Sequence, residues 1–207
     1  FREVSIAVMN WTTILVVILL TARQLPREFE TRTIYPLLAK PVSRLHFLLG
    51  KLLGALLAAA IAYLVFLAMF MIGQVRIGEP LVWATFAQMI FLHFLALAIL
   101  GALTLMLSTL MTHSAALTVA LLFAVLSDQI TEFIKIYYDK AGETTKSILL
   151  AVTYVVPQLS LADMTAKVVH DWEPISMWAL VFWAIYAAIF VCLFFAVSFL
   201  KFRRREI

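Results

Sequence analysis

Four polar groups stand where an apolar chain tolerates them least: His93 and Gln88 within one apolar stretch, Asn10 within another, and Asp128 at the end of a third. An ionisable group inside a bilayer is a candidate for function by default, and imidazole is the side chain suited to carrying protons near neutral pH. A proton relay would require a carboxylate beside His93, however, and its stretch holds none. A neutral imidazole bonded to a neighbouring helix is therefore the favoured reading. Asn10 and Asp128 likewise read as interhelical hydrogen-bonding groups rather than an ion path. His170, Asp171 and Glu173 could touch a metal, but their spacing matches no established ligand pattern, which favours a solvated acidic loop. The single cysteine, Cys192, excludes an intrachain disulfide framework. The chain carries no GxxxxGK[ST] loop, HExxH helix or GxSxG elbow. No catalytic residue and no metal site follow from these patterns, and any use of ATP would need another chain.

The elements that must hold these groups are membrane spans. At 64% apolar and 14% charged residues, with a mean hydropathy of +1.02, the composition excludes an ordinary soluble domain. A hydrocarbon core about 30 Å thick needs roughly 20 apolar residues in helix. Five segments meet that requirement: Val4 to Gln24, Phe47 to Gly73, Leu81 to Thr109, Ser114 to Ile134 and Ile175 to Leu200. Lipid offers no partner to a free amide, and nothing alternates as a membrane barrel would. The fold class expected is all-α, a polytopic helix bundle forming one domain over residues 1–207. Phe1 already opens an apolar segment with no initiating methionine or signal peptide, so a further N-terminal span, a sixth, is expected ahead of it.

Ile148 to Val169 is rejected as a span, because Pro157 interrupts it and Asp163 and Lys167 would each cost about 2.5 to 3.5 kcal/mol near a helix centre. It reads as a re-entrant or surface-lying helical pair within an extracytoplasmic loop, 135–174. Charge agrees with five crossings. Arg23 to Lys51 holds six basic and two acidic residues and the tail KFRRREI four and one, whereas Asp128 to Glu173 holds seven acidic and four basic. The positive-inside rule puts the first two in the cytoplasm. Trp83, Trp172 and Trp178 then fall at the outer starts of spans, where indole favours the headgroup layer.

The cytoplasmic island RQLPREFETRTIYPLLAKPVSRLHFLLGK is punctuated by Pro26, Pro36 and Pro41. Pro26 suits a first helical turn, with Glu28 near the positive end of the dipole, so a separate helix is expected to start there. Phe29, Thr33, Ile34, Leu37 and Leu38 share a face at spacings of three and four, and Glu28 can pair with Arg32. Pro36 predicts a kink and Pro41 a stop, after which Ser43 can cap the next span and Lys51 can snorkel to the interface. Such a helix could merely anchor a loop on the membrane surface. Gly50 and Gly54, followed by Ala58, form a small-residue ridge that would admit a close helix, or that arises by chance in a segment rich in small residues.

The run Glu28-x-Glu30-x-x-Thr33, Leu37-Leu38, Lys40-Pro41-Val42-Ser43-Arg44 and Gly50-Lys51 resembles the cytoplasmic segment of type-2 ATP-binding-cassette (ABC) permeases, particularly the permease of the nitrous-oxide-reductase copper-maturation transporter. Val156-Pro157-Gln158-Leu159 and the basic terminus Phe202 to Glu206 are similar as well. The resemblance implies six spans, a coupling helix docked on a separate ABC ATPase subunit, and a second permease subunit in a homodimer or heterodimer. It implies ATP and Mg bound by the partner with no cofactor in this chain, no nucleic acid, and residence in a bacterial or archaeal cytoplasmic (inner) membrane as an exporter. The docking surface so implied is Glu28, Phe29, Glu30, Thr33, Ile34, Leu37, Leu38, Pro41 and Arg44. Arg32 stands where many relatives have glycine, and the family's first span has no counterpart here. Two other functions fit the same spans: an ion-coupled or passive transporter using His93 and Asp128, and a non-transporting scaffold or mechanotransmitter.

Overall fold

The structure is a computed structural model, and it describes residues 1–30, 44–78, 80–138, 142–147, 149 and 156–204. All regular structure among the described residues is helical. Four long helices carry enough apolar length to cross a membrane: α1 (Arg2–Glu30), α2 (Arg44–Ile77), α3 (Trp83–Leu110) and, near the C-terminus, Met177–Arg204. Between them lie α4 (His113–Tyr138), a 3-10 turn (Leu159–Ala162) and the one-turn helix α5 (Thr165–Val169), so Met177–Arg204 is α6. α4 counts as a fifth span when its two arms, bent by 44° between Ser127 and Glu132, are taken together.

The helices outrun the expected spans because polar residues flanking an apolar stretch can also be helical. The 34 residues of α2 reach about 51 Å at 1.5 Å per residue, well past a 30 Å core. Of the stretch Ile148 to Val169, residues 149 and 156–169 are described, and they hold the 3-10 turn and α5, beyond a buried Pro157.

Pro26 departs from expectation. It lies inside α1 and starts no new helix. Pro26 has no N–H for the Ala22 carbonyl, and such an interruption costs about 3 kcal/mol in a helix interior. The helix N-terminal to it is anchored by buried Ile6, Met9, Val17, Ile18 and Ala22, so propagation through a single lost bond prevails over a fresh nucleation.

α3 is the axis of the bundle, with α6, α1 and α4 packed around it and α2 in lighter contact. The reason is compositional: α3 is apolar on every side, and a helix without a polar face belongs inside. Its Gly101 permits a close approach. A Cβ there would meet Leu52 Cδ1 at 3.0 Å and Val17 Cγ1 at 3.2 Å, so α1 and α2 both press on it. Two main apolar clusters divide the bundle lengthwise. Phe47, Leu48, Leu52, Ile99, Ala120, Phe190, Phe194 and Phe202 fill one half. Ile6, Met9, Tyr63, Phe70, Phe86, Met89, Ala162 and Val168 fill the other. The outer faces of α2 and α6 expose Leu57, Ile61, Ile72, Phe182 and Ile189, an apolar surface too extensive for water and suited to lipid.

Candidate functional site

Three places in the bundle hold the polar groups. The first is the end from which the island leaves and to which it returns. α1 carries Glu28, Phe29 and Glu30 as its last turn. Thr33, Ile34, Leu37, Leu38 and Pro41, together with Arg32, Pro36 and Ser43, lie outside the described residues. Arg44, on the far side, opens α2 and donates from Nη1 to the carbonyls of Arg203 at 2.8 Å and Phe202 at 3.4 Å. Carbonyls in the last turn of a helix have no intrahelical donor and carry its negative end, so a guanidinium there closes α6 favourably. The guanidinium also lies over the Phe202 ring, 6.0 Å from its centroid, and Phe202 stacks on Phe47 at 5.9 Å. Lys51 reaches back over that same Phe47 ring at 5.3 Å. Arg44 is thus the joint between the start of α2 and the end of α6. Gly50 and Gly54 lie near this end but on the outward side of α2: no atom comes within 4 Å of a Cβ built at either.

The second place is inside the bundle. His93 is 7% exposed and its Nε2 lies 2.8 Å from Thr13 Oγ1 on α1. That hydroxyl also reaches the carbonyls of Met9 at 3.1 Å and Asn10 at 2.9 Å, so its single hydrogen serves them and the imidazole is the donor. His93 is therefore Nε2–H, leaving Nδ1 as an acceptor. Tyr63 covers the ring with centroids 5.5 Å apart, its own hydroxyl buried without a partner among the described residues. The expected bond from His93 to a neighbouring helix is present, and Thr13 is the partner.

Asn10 corrects the reading given above. Its Oδ1 is buried and makes no hydrogen bond, interhelical or otherwise, among the described residues. It lines a cavity of about 230 Å³ between α1, α3, α4 and the 159–165 segment, with His93, Trp11, Leu97, Glu3 and Asp163 among its other walls. Apolar helices pack on surface area, and nothing in their pattern reserves a partner for a lone amide. Gln88, expected to share a polar site with His93, is engaged elsewhere: Nε2 donates to the Ile175 carbonyl and Oε1 accepts from the Ile175 N–H, both at 2.9 Å. The side chain of Asp128 lies outside what is described.

The third place is the end opposite Arg44. Arg2, 6% exposed, spreads its guanidinium over three elements. Nη1 faces both carboxylate oxygens of Asp171 at 2.8 Å, Nε donates to Gln74 Oε1 at 3.3 Å, and Nη2 donates to the Pro80 carbonyl. Asp171 sits at φ 52°, a left-handed conformation that aspartate tolerates better than most side chains. Thr85 Oγ1 donates to the Trp172 carbonyl at 2.9 Å and His170 stacks on Trp172 at 5.7 Å. Asp171 therefore fastens an otherwise exposed segment, His170, Asp171 and Glu173 all lying at the surface as the solvated acidic loop expected, and no metal-binding cluster occurs among the described residues. Arg2, Thr13 and Glu3 escaped sequence reasoning, as did the tie between Asp171 and Arg2. The available signal was a charged pair, Arg2 and Glu3, at the head of an apolar helix, where an unsatisfied charge demands a distant partner.

Among known proteins, the family described as "Protein of unknown function (DUF2705)" matches residues 2–207. No curated protein matches the chain.

Proposed function

The chain belongs to the DUF2705 family, and we propose, on the resemblance of its 25–45 segment and on its helix arrangement, that it is the membrane-spanning subunit of an ATP-driven exporter of the type-2 ABC class, coupled to a separate ATPase through residues 25–45. The observation that carries this reading is the continuity of α1, which runs unbroken from Arg2 through Pro26 to Glu30. A force applied to the island at Glu28 and Glu30 would reach the bundle along a single helix, interrupted in its hydrogen bonding at Pro26. On the other side of the island, Arg44 would pass the same force from α2 into α6 through the α6 carbonyls. The resemblance in the island supports the class, and the basic residues around it support its placement in the cytoplasm.

In this reading two permease subunits face one another across the translocation path, and the closing of an ATPase pair rocks their spans. A coupling element transmits only the difference between its contacts in the two states, so the island must bind the ATPase differently before and after closure. ATP and Mg belong to the partner.

The test is the variant Glu28→Lys/Glu30→Lys, assayed with the copurifying nucleotide-binding subunit in vesicles. It should insert and assemble normally, while ATP-driven transport falls about a hundredfold, as loss of roughly 2.7 kcal/mol of coupling would give. Normal transport by that variant, or a chain that purifies with no nucleotide-binding subunit, contradicts the proposal.

A further inference from the structure

Beside the joint between α2 and α6 lies an open groove of about 440 Å³, walled by Arg44 and Leu45 of α2 and by Phe199 and Arg203 of α6. Two guanidinium groups stand there with two apolar side chains, and no carboxylate is among the described lining residues. Neither arginine is neutralised by an acid among the described residues. Arg44 commits Nη1 to the α6 carbonyls, which leaves Nε and Nη2 to donate elsewhere. Arg203 is exposed, and its side chain makes no ion pair or hydrogen bond among the described residues. The apolar part of the groove continues past its rim. Leu45, Leu49, Leu53 and Leu57 follow one another at spacings of four along α2, and all four are exposed. Residues four apart share a helix face, so these leucines form a row that runs from the groove toward the middle of the span. From position 45 to position 57 the rise, at 1.5 Å per residue, is about 18 Å, enough to cross one leaflet of a core about 30 Å thick.

Two unneutralised guanidinium groups at the head of an exposed leucine row are complementary to an anion that carries a long hydrocarbon chain. Guanidinium presents its N–H groups in a planar fork that matches phosphate oxygens, and the charge strengthens each bond. Arg44 offers this fork at little ordering cost, because the α6 carbonyls and the Phe202 ring already hold it in place. Basic residues just past the end of a span also draw anionic lipid from the leaflet beside them, and Lys201 and Arg203 close α6 in that position. We propose that this groove is a binding site for one anionic phospholipid, its headgroup phosphate held between Arg44 and Arg203 and an acyl chain laid along the leucine row of α2. The volume falls within the range of small-ligand sites and suits a phosphoglycerol headgroup. Such a lipid bridges the start of α2 and the end of α6. The site requires that these helices span a bilayer and requires no ATPase, so it stands or falls separately from the coupling function.

The experiment is native mass spectrometry of the full chain released from nanodiscs that hold phosphatidylglycerol and phosphatidylcholine in equal amounts. One retained phosphatidylglycerol per chain is expected, favoured about tenfold over phosphatidylcholine, whose choline offsets the phosphate charge. Arg203→Gln should abolish that preference, as loss of one charge-assisted contact worth about a factor of ten would do. The exposed Arg203 side chain holds no other described group, so the variant should fold as the parent does. Lys201→Gln removes an equal charge from the same end of α6, outside the lining of the groove, and should leave the preference unchanged. Inorganic phosphate at millimolar concentration should not displace the lipid. Equal retention of the two lipids by the parent chain, or an equal fall in Lys201→Gln and Arg203→Gln, would overturn the proposal. Displacement by inorganic phosphate would make the groove a free-phosphate site and would overturn it too.

Discussion

The two ends of the bundle are fastened by different means. At one end Arg2, Gln74, Pro80, Thr85, Gln88, Asp171, Trp172 and Ile175 tie α1, α2, α3 and the segment before α6 into a hydrogen-bonded knot around a buried guanidinium. At the other end, α2 meets α6 through a partly exposed arginine on two carbonyls and a stack of two phenylalanine rings, among other contacts. The difference bears on mechanism. A half-buried ion pair backed by further hydrogen bonds favours one geometry, whereas rings and a long side chain can slide over one another at little cost. Under the proposed coupling the bundle would pivot about the knot, and the end joined by Arg44 is the one that carries the proposed coupling segment.

The comparison predicts an order of effects on stability, measured as unfolding free energy in detergent. The largest follows Asp171→Ala, which takes a carboxylate from the buried Arg2 guanidinium and, with that aspartate itself 40% exposed, should cost about 2.5 kcal/mol. An unchanged unfolding midpoint would mean that the knot is not the pivot. Gln88→Leu strands both the N–H and the C=O of Ile175 and should cost about 2 kcal/mol; a loss below a quarter of that would show water taking over both bonds. Arg44→Gln at the opposite end should cost only about 1 kcal/mol. The same variant should nevertheless depress ATP-driven transport more than Gln88→Leu does. If the two variants rank alike in stability and in transport, the ends are not mechanically distinct. Smallest is Gly54→Ala, where the added methyl meets nothing within 4 Å. It should stabilise α2 by about 0.5 kcal/mol through helix propensity, and a loss instead would reveal a second copy packed on that ridge.

Much of this architecture was legible in the residues and part of it was not, for definite physical reasons. Long apolar runs announce helices because lipid permits little else, and Trp83–Leu110 falls within two residues of its expected start at Leu81. The bend in α4 was not legible, since no proline marks it. Pro26 misled because a residue that favours a first turn is also tolerated inside a helix that tertiary packing already holds. The polar ties were beyond any local pattern: Arg2 meets Asp171 across 169 positions and Gln88 meets Ile175 across 87. Periodicity records which face of a helix is apolar and says nothing about which distant residue will sit opposite. His93 shows the boundary well. Its bond to a neighbouring helix followed from the cost of a bare imidazole in an apolar interior, but the choice of Thr13 depended on the register between α1 and α3.

The central claim is that the segment following Glu30 is gripped by a nucleotide-binding partner. With Cys192 replaced by alanine, a cysteine introduced by Glu30→Cys or Leu37→Cys should be cross-linked to the copurifying ATPase, in a yield that differs between the nucleotide-free and ATP-bound states. Cysteines that react only with lipid-borne reagents in both states, with no adduct to an ATPase, would contradict it.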